Sequence, residues 1–327
     1  MQAKQRQGTE LISKLVKAEP LKAGDQVGLC CPGSRPASPA VLTRAVRLVE
    51  EMGFKPVVGK HVLSIDSYMA GTDEERLADL NGFLKNRSVR GIFFVSGGYG
   101  SLRLLPEVDF KVLSDEPKVI VGCDDNTHLL LAVLSVSKLV PFHGPNLDQL
   151  KSKYSFDRLK EAVTKKGVMK PVLAADGAND EVGEGYFYSK VAGTAAGALL
   201  GGNLTAITSL MGTPFAPDFR DAVLFLEDIN ERTDILERWL TTLYISGKLG
   251  EVSGVACGEF NGCGPKGSYD LLSIEEIFAS RFTQLQKPSC FGLPLGQTSR
   301  MATVPLGVKV SLDASKGVLT FKEPHFA

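Results

Sequence analysis

Histidine and cysteine are scarce in this 327-residue chain, and net charge is absent. There are four histidines and six cysteines, and no two cysteines form a C-x-x-C pair. Cys257 and Cys263 stand near one another but have no histidine pair beside them, so neither a metal site nor any cofactor is expected. Other cysteines lie in apolar strings such as Val27-Gly28-Leu29-Cys30-Cys31, where a thiol behaves as a small hydrophobe; buried, reduced thiols are expected. Lys and Arg together number 37, as do Asp and Glu, and no basic block stands out. That excludes the electrostatic footprint of a nucleic-acid or anionic-membrane binder and leaves a small molecule as the expected ligand. No apolar run reaches the roughly 20 residues of a membrane span. Residues 1–19 lack the apolar core of a secretory signal, so a cytoplasmic location is expected.

What is present is an ordinary globular composition, 43% apolar and 23% charged, in a chain long enough for two domains. From residue 26 onward short apolar strings alternate with helical periodicity. Residues 26–31 read as a strand running into Pro32-Gly33-Ser34. Residues 38–52 place Val41, Leu42, Ala45, Val46, Leu48 and Val49 at helical spacing and stop at Gly53. A strand at 55–58 is followed by a helix at 72–84, whose acidic first turn suits the helix dipole. Residues 91–95 form a buried strand ending in Ser96-Gly97-Gly98-Tyr99-Gly100-Ser101. Strand, helix and strand follow at 118–121, 126–137 and 139–143. This alternation implies an α/β domain with a doubly wound, mainly parallel sheet, its ligands bound at the carboxyl ends of the strands. The domain is assigned residues 21–150, behind a polar tail at 1–20. Residues 151–190 are polar and irregular and read as a linker or flap. Residues 191–327 read as a β-rich α+β domain, with strands at 222–227, 254–258, 290–293, 302–305, 308–312 and 318–322.

The string Val119-Ile120-Val121-Gly122-Cys123-Asp124-Asp125-Asn126-Thr127-His128 carries the functional question. It reads as a buried strand, a tight acidic turn and the start of a helix, the place where an α/β-hydrolase-type fold presents a nucleophile. An ordered series of short motifs surrounds it: Gly97-Gly98-Tyr99-Gly100-Ser101-Leu102-Arg103-Leu104-Leu105-Pro106, Gly122-x-x-Asp125-x-Thr127, His143-Gly144-Pro145, Gly201-Gly202-Asn203-Leu204, Gly212-Thr213-Pro214, Leu226-Glu227-Asp228-Ile229 and Pro305-Leu306-Gly307. Together these resemble the LD-carboxypeptidase family, which includes the microcin C self-immunity peptidases, from about residue 21 to the C-terminus. The resemblance implies a doubly wound N-terminal domain, a β-rich C-terminal domain and a homodimer. It also implies metal-free hydrolysis, by a Ser–His–Glu triad, of the bond before a C-terminal D-amino acid in murein peptides or related amides.

Carried onto this chain, the resemblance places the glutamate at Glu227, the serine position at Asp124 and the histidine position at Gln297. It implies backbone oxyanion donors in the glycine turn and at Asp125, and a substrate-binding set of Gly97, Gly98, Tyr99, Asp125, His128 and His143. Serine needs a base to remove its proton, and glutamine accepts none at any working pH. Losing either half of such a relay costs about 10⁶ in rate. Three readings stay open. The first is a hydrolase of a small peptidoglycan-derived substrate in which Asp124 and Glu227 face one cleft and work as paired carboxylates, extending even to a glycosidic bond. The second is a non-catalytic muropeptide-binding protein. The third is a conventional LD-carboxypeptidase working through an unrecognised arrangement. Single residues also have structural readings. Asp124 is an N-cap candidate kept ionised by the helix start at Asn126, and Glu227 a structural carboxylate at a strand end. Cys123 is a packed thiol or a nucleophile shifted by one position. His128, one turn on, is a partner for Asp124 or a packed side chain, and His143 a support for its strand.

Overall fold

The computed structural model describes residues 15–174, 187–264 and 272–327. Fourteen strands are found among them: β1 Gln26–Cys30, β2 Lys55–Val58, β3 Val89–Phe94, β4 Val119–Gly122, β5 Phe142–His143, β6 Val172–Leu173, β7 Tyr188–Val191, β8 Thr194–Asn203, β9 Val223–Ile229, β10 Gly254–Asn261, β11 Ser289–Phe291, β12 Val304–Pro305, β13 Lys309–Asp313 and β14 Val318–Phe321. The first sheet has the order β2-β1-β3-β4-β5-β12 and is parallel except for β12. All of β4 and most of β3 are buried, as expected of strands covered on both faces. The order reverses between β1 and β3, and a crevice opens outside the carboxyl ends of strands at such a switch point. The expected doubly wound sheet is therefore present.

Local signals explain the covering helices. Helix Pro39–Glu51 opens on proline, whose missing N–H is no loss at that position. Helix Asp73–Lys85 opens on a reciprocal capping box between Thr72 and Glu75, with three acidic residues in its first turn. The second sheet is mixed, in the order β6-β14-β13-β8-β9-β10-β11-β7. Its centre, β8 to β11, is parallel, and the strands on either side are antiparallel. This is the expected β-rich C-terminal unit.

Three segments differ from the sequence reading. Within 151–190, helix Lys153–Thr164 starts on a Ser152 cap and buries Leu159, Ala162 and Val163, while β6 and β7 close the two edges of the second sheet. The lysines of this stretch face outward and mask a buried face; residues 175–186 lie outside the described part. At the N-terminus, Val16 forms a parallel bridge with Leu139, and Ala18 and Leu21 enter the core, so this part of the tail is docked. Residues 1–14 lie outside the described part. Finally, β12 pairs antiparallel with β5 (Val304↔His143), so the stretch read as the second domain donates a strand to the first sheet. No helix among the described residues is long and apolar enough to cross a membrane.

Candidate functional site

At the switch point the turns after β1 and β3 lean on one another. Ser34 N–H donates to Gly97 O at 3.0 Å, and a Cβ on Gly33 would stand 2.2 Å from Gly98 O. The buried Arg76 guanidinium ties the two turns together. Its Nη1 donates to Gly100 O at 3.0 Å and to Pro32 O, its Nε donates to Gly71 O at 3.3 Å, and Asp73 pairs with Nη2.

Strand β4 runs straight into this assembly. After Cys123 the backbone of Asp124 adopts φ +61°, a left-handed conformation that costs a non-glycine residue about 1–2 kcal/mol. The helix proper starts only at Thr127, after a tight turn over Asp124–Asn126. Asp124 caps nothing, and an N-cap residue would have extended backbone. Its Oδ2 accepts the Gly98 N–H at 2.9 Å, and the Asp125 N–H also favours its carboxylate. The contact is close: a Cβ on Gly97 would meet Asp124 Oδ2 at 2.4 Å. Burial pushes the Asp124 carboxyl above its usual range, with the Gly98, Asp125 and Gln297 contacts pulling it back. The groups that favour its charge are thus the Gly98 and Asp125 N–H groups and Gln297, set against burial.

Gln297 is held from behind. Its Oε1 accepts from Gln149 Nε2, and Gln149 Oε1 in turn accepts the Cys123 thiol at 3.1 Å. This leaves Gln297 Nε2 on the Asp124 side, outside strict hydrogen-bond geometry but close enough to favour the carboxylate. Asn146 braces the same turn: its Oδ1 accepts Cys123 N–H at 3.2 Å and Asn126 Nδ2 at 3.2 Å. Cys123 is buried and its thiol is pushed well up by that burial, so it is not an activated nucleophile.

Glu227 lies on β9, in register with Asn203, and has no exposed surface. Neither carboxyl oxygen has a hydrogen-bond partner, and the nearest basic atom is His143 Nε2 at 3.5 Å. A Cβ on Gly296 would come within 3.2 Å of Glu227 Oε2, so the segment bearing Gln297 covers it. Burial, then Asp228 and Asp124, push Glu227 well up, and burial lowers His143 to about 3. Burial thus disfavours the charged forms of both partners, and the His143 ring packs on Phe225 at 4.8 Å. Glu227 is closed to solvent, yet close enough to Asp124 to couple with it electrostatically.

Tyr99 is half exposed and meets Tyr68 edge-on at 5.6 Å. Asp125 is partly exposed and is pushed up to about 7 by burial and by Asp124. His128 does not meet Asp124. Its Nδ1 is 3.0 Å from Ser101 Oγ and its Nε2 is 2.6 Å from Ser209 Oγ, because the left-handed turn takes Asp124 out of the helical register. Both its nitrogens are thus engaged within the protein, and burial lowers it to about 4. The sequence reading did not name Asn146, Gln149 or Arg76. The first two closely follow the quoted His143-Gly144-Pro145 motif, whereas Arg76 gave no signal.

Two family profiles match this chain, the LD-carboxypeptidase N-terminal domain over residues 27–144 and the LD-carboxypeptidase C-terminal domain over residues 196–312. The chain belongs to the LD-carboxypeptidase family. A Bacillus subtilis relative described as a "probable murein peptide carboxypeptidase" is 32% identical over 300 residues, covering 92% of each chain. The murein tetrapeptide carboxypeptidase of Pseudomonas aeruginosa is 28% identical over 310 residues, covering 89% of this chain and 94% of its own. A solved structure of the microcin C7 self-immunity protein MccF with glutamyl sulfamoyl guanosine shares the fold, with a TM-score of 0.83 at 24% identity over 95% of this chain and 99% of that one. In this LD-carboxypeptidase family member the strand-to-helix turn carries Asp124, bonded to the glycine turn beside it.

Proposed function

We propose that this LD-carboxypeptidase family member binds a murein-type peptide or a related small amide at the carboxyl ends of β3 and β4 and does not cleave it by serine chemistry. The hydrogen bond from Gly98 N–H to Asp124 Oδ2 supports this reading most directly. Acyl transfer at such a turn needs a hydroxyl with a base beside it and a free backbone donor for the developing oxyanion. Position 124 offers a carboxylate, position 297 an amide, and the donor is already engaged. The names of the relatives give the ligand class, namely murein peptides and, for MccF, amino-acyl nucleotide analogues.

A carboxylate-pair hydrolase is the second reading. Asp125, pushed up to about 7 beside Asp124, favours it by offering a proton donor near neutral pH. Sealed burial of Glu227 speaks against the pairing of Asp124 with Glu227.

The test is incubation with murein fragments, with and without their sugars, followed by mass spectrometry, with Asp124→Asn and Glu227→Gln variants alongside. Calorimetry is expected to show saturable binding of the tetrapeptide, and mass spectrometry no product. Release of a terminal D-alanine would refute the proposal. Cleavage at a sugar that disappears in Asp124→Asn would establish the second reading.

A further inference from the structure

We propose that Asp124 is the built-in anion of this site, filling the backbone donor position and making residue 124 select ligands that present N–H groups over those that present carbonyl or carboxylate oxygens. The inference rests on the reading that this turn is the ligand site. A left-handed residue after a buried strand, followed by a helix, aims main-chain N–H groups at one point, the arrangement that receives a negatively charged oxygen elsewhere. Here the oxygen comes from the chain itself. Asp124 Oδ2 sits 2.9 Å from Gly98 N, and the space a Gly97 side chain would take is filled by Asp124 Cβ and Oδ2, at 2.8 and 2.4 Å.

The surrounding groups point the same way. Cys123 donates to Gln149, Gln149 to Gln297, and the remaining Gln297 amide faces Asp124, so this chain of donors ends on the carboxylate. Glutamine, with its orientation set from behind, suits an acceptor at position 124. Asp125 and Asp148 also lie close enough to couple electrostatically with Asp124. An incoming carboxylate therefore meets engaged donors and like charge, whereas an amide N–H or an ammonium group meets an acceptor. Asp124 is partly exposed, so a ligand can reach it.

The decisive variant is Asp124→Gly. Glycine adopts φ +61° without strain, so the turn is preserved while a space the size of acetate is vacated. Thermal unfolding would be followed against sodium formate and sodium acetate, with sodium chloride at equal ionic strength as the reference. Asp124→Gly is expected to gain a saturable rise in its midpoint with formate and acetate, and the wild type none. Glu51→Gln, which removes an exposed carboxylate at the end of helix Pro39–Glu51, is expected to behave as the wild type. A second arm compares one murein tetrapeptide as its C-terminal amide and as its free acid. The wild type is expected to favour the amide by about tenfold or more, the scale of one hydrogen bond to a charged group. Asp124→Gly is expected to lose or invert that preference. No anion-specific rise in Asp124→Gly and in Asp124→Ser, which guards against a folding failure of the first, would overturn the proposal. So would an equal rise in the wild type. If neither peptide binds any form while formate still acts on Asp124→Gly alone, the muropeptide reading fails and the built-in anion stands.

Discussion

Arg76→Leu is expected to lower the free energy of unfolding by about 3–5 kcal/mol, the range for removing one partner from a buried charged network. The buried guanidinium donates to Pro32 O and Gly100 O, on the two turns that meet at the switch point, and to Gly71 O just before helix Asp73–Lys85. Leucine would leave these acceptors without that donor, at about 1–3 kcal/mol each before relaxation. Asp73 would fare better, because Arg103 still reaches its Oδ2 at 2.7 Å. Arg76→Lys is expected to recover less than half of the loss, since one ammonium cannot reproduce the planar fork. Urea denaturation of the two variants and the wild type measures the effect. Peptide affinity should fall in parallel, as the Ser34 and Gly97 turns lose their common tie. A midpoint for Arg76→Leu that matches the wild type would show that the guanidinium is not what holds the turns.

Glu227→Gln is expected to stabilise the protein, by an amount that grows with pH. Burial pushes the Glu227 carboxyl well above its ordinary 4.5, so the folded chain keeps a proton that the unfolded chain releases. Stability from this group is complete below pH 4.5 and declines as pH rises towards the folded-state value. The gain of Glu227→Gln rises by at most about 1.4 kcal/mol per pH unit above pH 4.5, so the two proteins are expected to separate progressively towards pH 8. Near pH 4.5 the two proteins should differ little. His143, held neutral by burial to about 3, acts in the opposite sense: its contribution is complete above pH 6.5 and is lost as pH falls towards 3. Wild type and variant share that term, so the difference between them isolates Glu227. Unfolding free energies between pH 4.5 and 8 that run parallel for the two proteins would show that the carboxyl is ionised and solvated after all.

A sealed carboxyl without a hydrogen-bond partner is a destabilising feature with no benefit to packing. Asp124 in a left-handed conformation is a second such feature. Both lie where the LD-carboxypeptidase resemblance places functional residues, and both were named from the sequence. Their relation to each other was not legible. The sequence suggested two carboxylates across one cleft. The structure puts one on the glycine turn and the other beneath the segment carrying Gln297, because β9 points the Glu227 side chain into the interface between the sheets.

Elements set by short-range physics were legible in the chain. The apolar string Val119–Val121 made most of β4, the acidic first turn after Thr72 began a helix, and the glycine-rich string at 97–100 marked a turn. Segments whose fate depends on a distant partner were not. Helix Lys153–Thr164 is disguised by its exposed lysines, and β12 is two residues long, so only the presence of β5 decides which sheet it joins. His128 is the same case in miniature: helical spacing offered Asp124, while Ser101 and Ser209, from two other segments, took both its nitrogens.

By itself, then, the sequence determined the family and the two-sheet architecture, because each is written in contiguous residues. Tertiary structure alone decided that Asp124 is held by Gly98, that Gln297 is oriented through Gln149 from Cys123, and that Glu227 is closed off. Those facts depend on side-chain directions and distances among segments brought together only by the packed sheets.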